Sequence, residues 1–314
     1  MITEFVITHG ETGKRLDVFL YHRERNISRT GLQRLIELGR IRLNAGVVKP
    51  SHIVKPGDHI TMDTPQAEPL TIEGKEVYLD ILHEDDSLLV VNKPPGIVVH
   101  PTSGNWSGTL LNALLAHVQS HEKNGRHPKD TPKPRFVHRL DKNTSGVMVV
   151  PKTSKAHRAL ASQFEQHTIA RAYEALLWGI PQDKTGVIDI PIGRHITHSK
   201  MVSPQTKDPK PATTDYRVVA QFGERASRVQ LLPRTGRTHQ LRVHMTSIGC
   251  PILGDTMYGG EKVSNIEGII FPRVMLHAQT LGFQHPTTGN FQEYSVASPF
   301  DIQNIVQALK SFSA

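Results

Sequence analysis

Residues 63–75, DTPQAEPLTIEGK, are polar and proline-containing and carry no helical or strand periodicity. Such a stretch interrupts any continuous core, so the apolar residues on either side must be buried separately. The expected organisation is a small domain over 1–65, a linker over 66–78 and a large domain over 79–314. The chain's 314 residues are enough for two cores of those sizes. In the large part strand-like runs outnumber helical ones and do not alternate with them. That favours an α+β fold, with a mixed and mostly antiparallel sheet, over a doubly wound parallel one.

Within the small part, Leu16, Phe19 and Leu20 have the spacing of one helical face. A second helix is expected after Ser28 as N-cap, burying Leu32, Leu35 and Ile36 and ending near Gly39. Ile41 and Leu43 alternate like a short strand, and Asn44-Ala45-Gly46 reads as a turn closing a hairpin. Lys14, Arg15, Arg23, Arg25, Arg29, Arg34, Arg40 and Arg42 stand here against Asp17, Glu24 and Glu37. Eight cations against three anions leave +5 of the whole chain's formal +8. A charge of that density suits a polyanion such as nucleic acid better than an ordinary solvated face. Arginines such as Arg29, Arg34 and Arg40 on the outer face of the helix pair are therefore expected to contact RNA, and the run RLDVFLYHRERNISRTGLQRLIELGRIRLNAGVVKPSHIVKPGD resembles the S4 RNA-binding domain.

In the large part, LLVVNKPPGIVVH reads as two strands broken by Pro94, Pro95 and Gly96. A helix over 107–118 and an exposed loop over 120–135 follow. We expect strands at 147–150, 169–178 and 187–192, a helix over 154–167 capped by Ser154, and YRVVAQF paired with RVQLL. A last helix is expected from near Thr238, burying Leu241, Met245 and Ile248. No run is long and apolar enough to span a membrane. The N-terminus lacks a signal-peptide pattern, and the one cysteine, Cys250, has no disulfide partner within the chain. We expect a cytoplasmic protein.

Two polar clusters interrupt these patterns. In HRLDKNTSG, residues 138–146, Asp141 is the only carboxylate, set among His138, Arg139 and Lys142. A loop held by flanking strands presents such a group as nucleophile or base. The same run also reads as a turn capped by Asp141 and Asn143. In RTGRTHQLRVH, residues 234–244, His239 and Arg242 share a helical face. Arginines at a helix start oppose the helix dipole, which favours a ligand role: gripping phosphate, or holding a carboxylate in a bidentate pair. His195 and His198 have the spacing of metal ligands, yet no HExxH motif or cysteine pair accompanies them, so surface or RNA-contacting histidines are expected. Gly259-Gly260 lacks the phosphate-loop pattern.

These clusters resemble two signature motifs of the RluA family of pseudouridine synthases. VNKPPGIVVHP, RAYEALLWG and GCPILGDTMYGG resemble the family's first motif, its tyrosine motif and its closing loop, all in the family's order. HPTSGNWSGTLLNALL leans toward the RluD-like branch, which acts on large-subunit ribosomal RNA. Asn143 stands where an acid is common and Cys250 where histidine is common.

The resemblance implies Asp141 as catalytic carboxylate and Tyr173 as the residue that stacks on the target uracil and assists proton removal. It implies Arg242 as the partner of Asp141, and Arg139 as the filler of the gap left by a flipped base. His138, Arg237 and His239 are further expected RNA contacts. The reaction breaks the N1–C1′ bond, turns the base and joins C5 to C1′. Nothing is oxidised, so neither redox cofactor nor nucleotide is expected. The aspartate could attack the sugar, attack the base or take a sugar proton. The expected partner is structured RNA, with the chain acting as a monomer without membrane attachment. Competing readings are a synthase acting on transfer RNA and a non-catalytic RNA-binding or ribosome-assembly factor, although such a factor would not require Asp141, Tyr173 and Arg242 together.

Overall fold

A computed structural model describes residues 2–24, 27, 29–63, 78–101, 107–122, 134–198 and 201–311. The chain divides into two compact units, 1–71 and 72–314. The linker expected at 66–78 lies, except for Tyr78, outside the described residues, as do Arg25, the expected cap Ser28 and most of the loop expected at 120–135.

The first unit runs β1 (Ile2–Val6), α1 (Leu16–Arg23), α2 (Arg29–Glu37), β2 (Ile41–Leu43) and β3 (His59–Asp63). Leu16, Phe19, Leu20, Leu32 and Ile36 are buried between the helices and the sheet, whereas Leu35 is only partly covered. The expected hairpin is corrected. Asn44 and Ala45 do turn, both at positive φ, but the partner of β2 is β3, which follows the Lys55–Asp58 turn. β1 pairs with the other edge of β3, giving the antiparallel order β1-β3-β2.

The second unit contains β4 (Asp80–Glu84), β5 (Leu88–Lys93), α3 (Leu110–Glu122), β6 (Ser145–Pro151), α4 (Ser154–Glu165), β7 (Ala170–Trp178), β8 (Thr185–Asp189), β9 (Gly193–Arg194) and β10 (Val202–Ser203). It continues with β11 (Thr213–Phe222), β12 (Ala226–Pro233), α5 (Gln240–Ser247), α6 (Thr256–Gly259), β13 (Asn265–Ile266), β14 (Ile269–Ile270), β15 (Leu276–Gln284), β16 (Phe291–Ser295) and α7 (Phe300–Ser311). A nine-stranded sheet follows the order β4-β5-β6-β15-β7-β12-β11-β8, with β16 on β15. Only β6 and β15 pair in parallel, so the sheet is mixed and mostly antiparallel, as expected of an α+β domain.

Four local expectations shift. Ile97–His100 is not a strand, because the Val98 and Val99 carbonyls accept from the Leu110 and Leu111 amides and so serve the start of α3. That helix itself runs Leu110–Glu122 rather than 107–118. The cap of α4 is Thr153, whose side chain accepts from Ala156 N, rather than Ser154. The strand expected at 187–192 is Thr185–Asp189, followed by a coil.

Candidate active site

The loop between Phe136 and β6 is fixed from beneath by apolar and polar anchors. Leu140 is buried with Leu89, Val91 and Met148, which turns its neighbours Arg139 and Asp141 toward a cleft of about 610 Å³. His138 stacks on Phe164 at 4.7 Å and accepts from Val149 N at 3.1 Å. Burial, aided by the charge of Arg171, brings its pKa down to about 3, so the ring is a neutral acceptor committed to the fold. The turn itself closes by Thr144 N donating to the Asp141 carbonyl, so the Asp141 side chain is not consumed as a cap.

Two buried cations hold the backbone just after Asp141. Lys93 Nζ, fully buried, donates to the carbonyls of Pro94, Ile97 and Lys142. Burial brings its pKa down to about 7, with Arg273 adding to the effect and Asp141 opposing it. Arg273 Nη1 donates to Asn143 O at 2.9 Å, while Nε and Nη2 grip Asp301 at the start of α7.

The central strand β7 supplies the next wall. Alternate residues of a strand share a face, and Arg171 and Tyr173 both line the cleft. Burial raises the Tyr173 phenol above its usual pKa; Arg171 pulls it down and Asp141 pushes it further up. Arg171 Nη2 donates to Pro233 O at 3.2 Å, and its buried Nε has no partner among the described residues.

The third wall is the arginine-rich turn into α5. Gln240 stitches it together, accepting from Thr235 Oγ1 and Arg237 N and donating to Thr213 O and Thr214 Oγ1. From α5, Arg242 reaches Asp141: Nη1 donates to Oδ2 at 3.2 Å. Its Nε and Nη2 form a bidentate pair with the buried Asp255 at 2.7 Å each, and its guanidinium lies 4.9 Å over the Tyr258 ring. Burial alone would lower the Arg242 pKa; the carboxylates of Asp255 and Asp141 together more than offset this and raise it. Among the described residues nothing hydrogen-bonds Asp141 Oδ1. One carboxylate oxygen is thus held, and the other has no hydrogen-bond partner among the described residues, in a side chain that lines the cleft.

Asp141, Tyr173, Arg242, Arg139, His138, Arg237 and His239 all line this one cleft. Arg234 and His244, from the same basic cluster, are spent internally, on Asp215 and on Thr214 and Ile190 O. His195 Nδ1 accepts from the Thr197 and His198 amides. In the first unit Arg29 is paired with the buried Asp17 at 3.0 Å, Arg40 with Asp63 at 3.2 Å, and Arg34 is exposed. Sequence reasoning assigned no role to Asp255, Tyr258, Lys93, Arg171 or Arg273. Four of these stand in the quoted runs GCPILGDTMYGG, VNKPPGIVVHP and RAYEALLWG, which was the available signal.

The family model for RNA pseudouridylate synthase matches residues 87–247, and the S4 domain model matches 14–60. An uncharacterized RNA pseudouridine synthase of Bacillus subtilis is 38% identical over 98% of this chain and 98% of its own length. The ribosomal large subunit pseudouridine synthase D of Zymomonas mobilis is 39% identical over 98% of each chain. The structure of human RNA pseudouridylate synthase domain containing 1 superposes with a TM-score of 0.57 at 29% identity, covering 76% of this chain and 97% of that one. The chain therefore belongs to the RNA pseudouridylate synthase family, isomerases that act on RNA, and carries an S4 domain ahead of the catalytic domain.

Proposed function

We propose that this enzyme isomerises specific uridines of large-subunit ribosomal RNA, with Asp141 as the reacting carboxylate and the target base flipped into the cleft. The observation that carries the reading is the division of labour in Asp141, a residue of the cleft whose Oδ2 is held by Arg242 and whose Oδ1 has no hydrogen-bond partner among the described residues. Attack on the sugar, attack on the base and removal of a sugar proton each need one free carboxylate oxygen, and Oδ1 is that oxygen. A base inside a helix cannot reach a carboxylate recessed among β6, β7 and α5, so the uridine must leave its stack. The cleft volume of about 610 Å³ is in the range that accepts a nucleotide-sized ligand.

The other residues divide the remaining work. Tyr173, a neutral phenol at rest with its pKa raised by burial, stacks on the extruded uracil and assists removal of the C5 proton. Exposed Arg139, at the same cleft, fills the space the base vacates, and Arg237 contacts phosphate. The reaction balances within the substrate: N1–C1′ breaks, C5–C1′ forms, C5 loses a proton and N1 gains one. Ribosomal RNA is favoured over transfer RNA because the Zymomonas mobilis relative is named for the large ribosomal subunit. On this reading the chain works in the cytoplasm as a monomer, without an obligatory protein partner.

Asp141→Asn tests the chemistry, because it keeps the shape and removes the charge and the nucleophile. Pseudouridine formation should vanish, while RNA affinity at fixed salt, which rests on many Lys and Arg contacts, should stay within about threefold. Substantial residual turnover would assign the chemistry elsewhere. Mapping pseudouridines in cells with and without the chain tests the substrate: lost sites confined to transfer RNA would overturn the ribosomal assignment.

A further inference from the structure

His239 occupies a position that neither helix capping nor helix propensity explains. It is the N-cap of α5, yet its side chain makes no capping bond. Its backbone is left-handed, with φ +54, a region uncommon for a residue bearing a Cβ, although histidine visits it more often than most. Strain of this kind persists where the surroundings enforce it, and it commonly marks a functional constraint.

The hydrogen bonds around the ring bear on where its proton sits. Tyr258 Oη accepts from Val202 N at 2.9 Å and lies 2.7 Å from His239 Nδ1. A phenol has one hydrogen to give. Its oxygen already accepts from Val202 N, and among the described residues His239 Nδ1 is the one side-chain atom within hydrogen-bond distance that could take the hydrogen. Directing the Tyr258 hydrogen to Nδ1 satisfies both groups at once, and a neutral imidazole that accepts at Nδ1 carries its own hydrogen at Nε2. Nε2 lies 3.7 Å from Asp141 Oδ2, the oxygen that Arg242 also holds.

We infer that Tyr258 holds His239 as the Nε2–H tautomer, and that His239 is thereby a second donor toward the Asp141 carboxylate. The inference rests on the reading of Asp141 as the reacting group. At 3.7 Å the contact is longer than a hydrogen bond. Donors in a substrate-free site are often long and tighten when substrate closes the site. Tyr258 supports both donors at once: its hydroxyl sets His239, and its ring face lies 4.9 Å beneath the Arg242 guanidinium. Burial lowers the imidazole pKa against the pull of Asp141, with Arg242 adding to the lowering, which keeps the ring neutral. Both residues act through Asp141, so they are positioning residues. The obvious competitor is a plain RNA contact by His239, which would act on binding instead.

The tautomer is read directly by nitrogen NMR of the full-length, histidine-labelled protein at neutral pH, with His239 assigned by substitution. The wild type should show Nε2–H, and Tyr258→Phe, which keeps the ring beneath Arg242, should release the ring to a tautomer mixture. An Nδ1–H tautomer in the wild type, or no change in Tyr258→Phe, would overturn the inference. In kinetics, Tyr258→Phe should lower kcat about tenfold, the scale of one hydrogen bond to a charged group, and change KM for RNA by less than about twofold. A raised KM with unchanged kcat would make these residues RNA contacts and reject the inference. His239→Gln offers an amide N–H near the Nε2 position, so it should recover about tenfold of the kcat lost in His239→Phe. Equal loss in the two variants would also reject it. Turnover retained in Asp141→Asn would sink the Asp141 reading and this inference with it, whereas a wrong tautomer would sink the inference alone.

Discussion

Asp255 occupies two of the Arg242 donor nitrogens and leaves Nη1 for Asp141, so a residue that never meets the cleft decides where the guanidinium points. Asp255 is 1% exposed. Asp255→Asn replaces one acceptor oxygen by an amide that meets the guanidinium donor against donor. Breaking a buried pair from one side costs about 3 kcal/mol, so the thermal midpoint should fall, and kcat should fall at least about tenfold as Arg242 swings. Asp141→Asn leaves the buried Arg242–Asp255 pair intact and changes a partly exposed side chain, so it should spare the midpoint. Thermal unfolding beside single-turnover rates separates the two; an unchanged midpoint in Asp255→Asn would show that the pair contributes nothing to the fold. Lys93 offers a second measurement. Its pKa is about 7 in the folded chain and an ordinary 10.5 when unfolded. Between those values the unfolded chain binds more protons, so stability should rise with pH across that window and be flat below it. Lys93→Met should lack that rise in denaturant titrations repeated from neutral to alkaline pH, and a parallel pH profile for the variant would refute the assignment.

The helices α1 and α2 are joined by a charge that the sequence pattern concealed. Asp17, fully buried on α1, accepts from Arg15, Arg29 and Gln33. Hydrogen bonding by Arg15, with help from Gln33 and Arg29 and against the effect of burial, holds its carboxyl well below the usual range. A depressed carboxyl stabilises above its unfolded pKa and loses that contribution as pH falls through the folded one. Asp17→Ala should therefore strip hydrogen-exchange protection from α1 and α2 and leave the sheet of the second unit unchanged. Protection persisting in both helices would mean that these pairs contribute little to holding the helices together. Read from sequence alone, Arg29 looked available to RNA; its half-exposed guanidinium is in fact shared with Asp17. Elements with one clean period were legible: α1 from Leu16, Phe19 and Leu20, and β11 with β12 from their alternation. β15, LHAQTLGFQ, was not, because a central strand mixes buried leucine with polar residues that have specific partners, such as His277 on Ser145 and Thr280 on Ser295. The site shows the same limit. Asp141, Tyr173 and Arg242 stood out as polar residues in motifs, while Asp255 and Arg273 gain meaning only from contacts 13 and 130 residues away.

Each unit has the means to fold by itself, which allows their roles to be tested apart. The first buries Leu16, Leu20, Leu32, Ile36, Ile41, Ile60 and Met62 in a cluster of its own. The second has its own cores along the nine-stranded sheet, for instance Leu176, Leu231, Met245 and Ile252. Every residue lining the cleft belongs to the second unit. The first unit contributes eight cations against three anions over 14–42 and belongs to the S4 family, so its expected contribution is affinity and target choice rather than chemistry. Each phosphate contact steepens the fall of log K with log salt by roughly 0.7–0.9. Deleting residues 1–65 should therefore weaken binding to structured RNA and flatten its salt dependence by several such increments. The remaining chain should keep its thermal transition and modify RNA slowly and with less selectivity, because Asp141, Tyr173 and Arg242 are untouched. Binding measured from low to moderate salt, together with pseudouridine mapping on the same RNA, reads both consequences. A truncated protein with the full salt slope and full selectivity would mean that the arginines of the first unit are an ordinary solvated face. Loss of all turnover at saturating RNA, with the fold intact, would mean instead that the first unit takes part in assembling the active site.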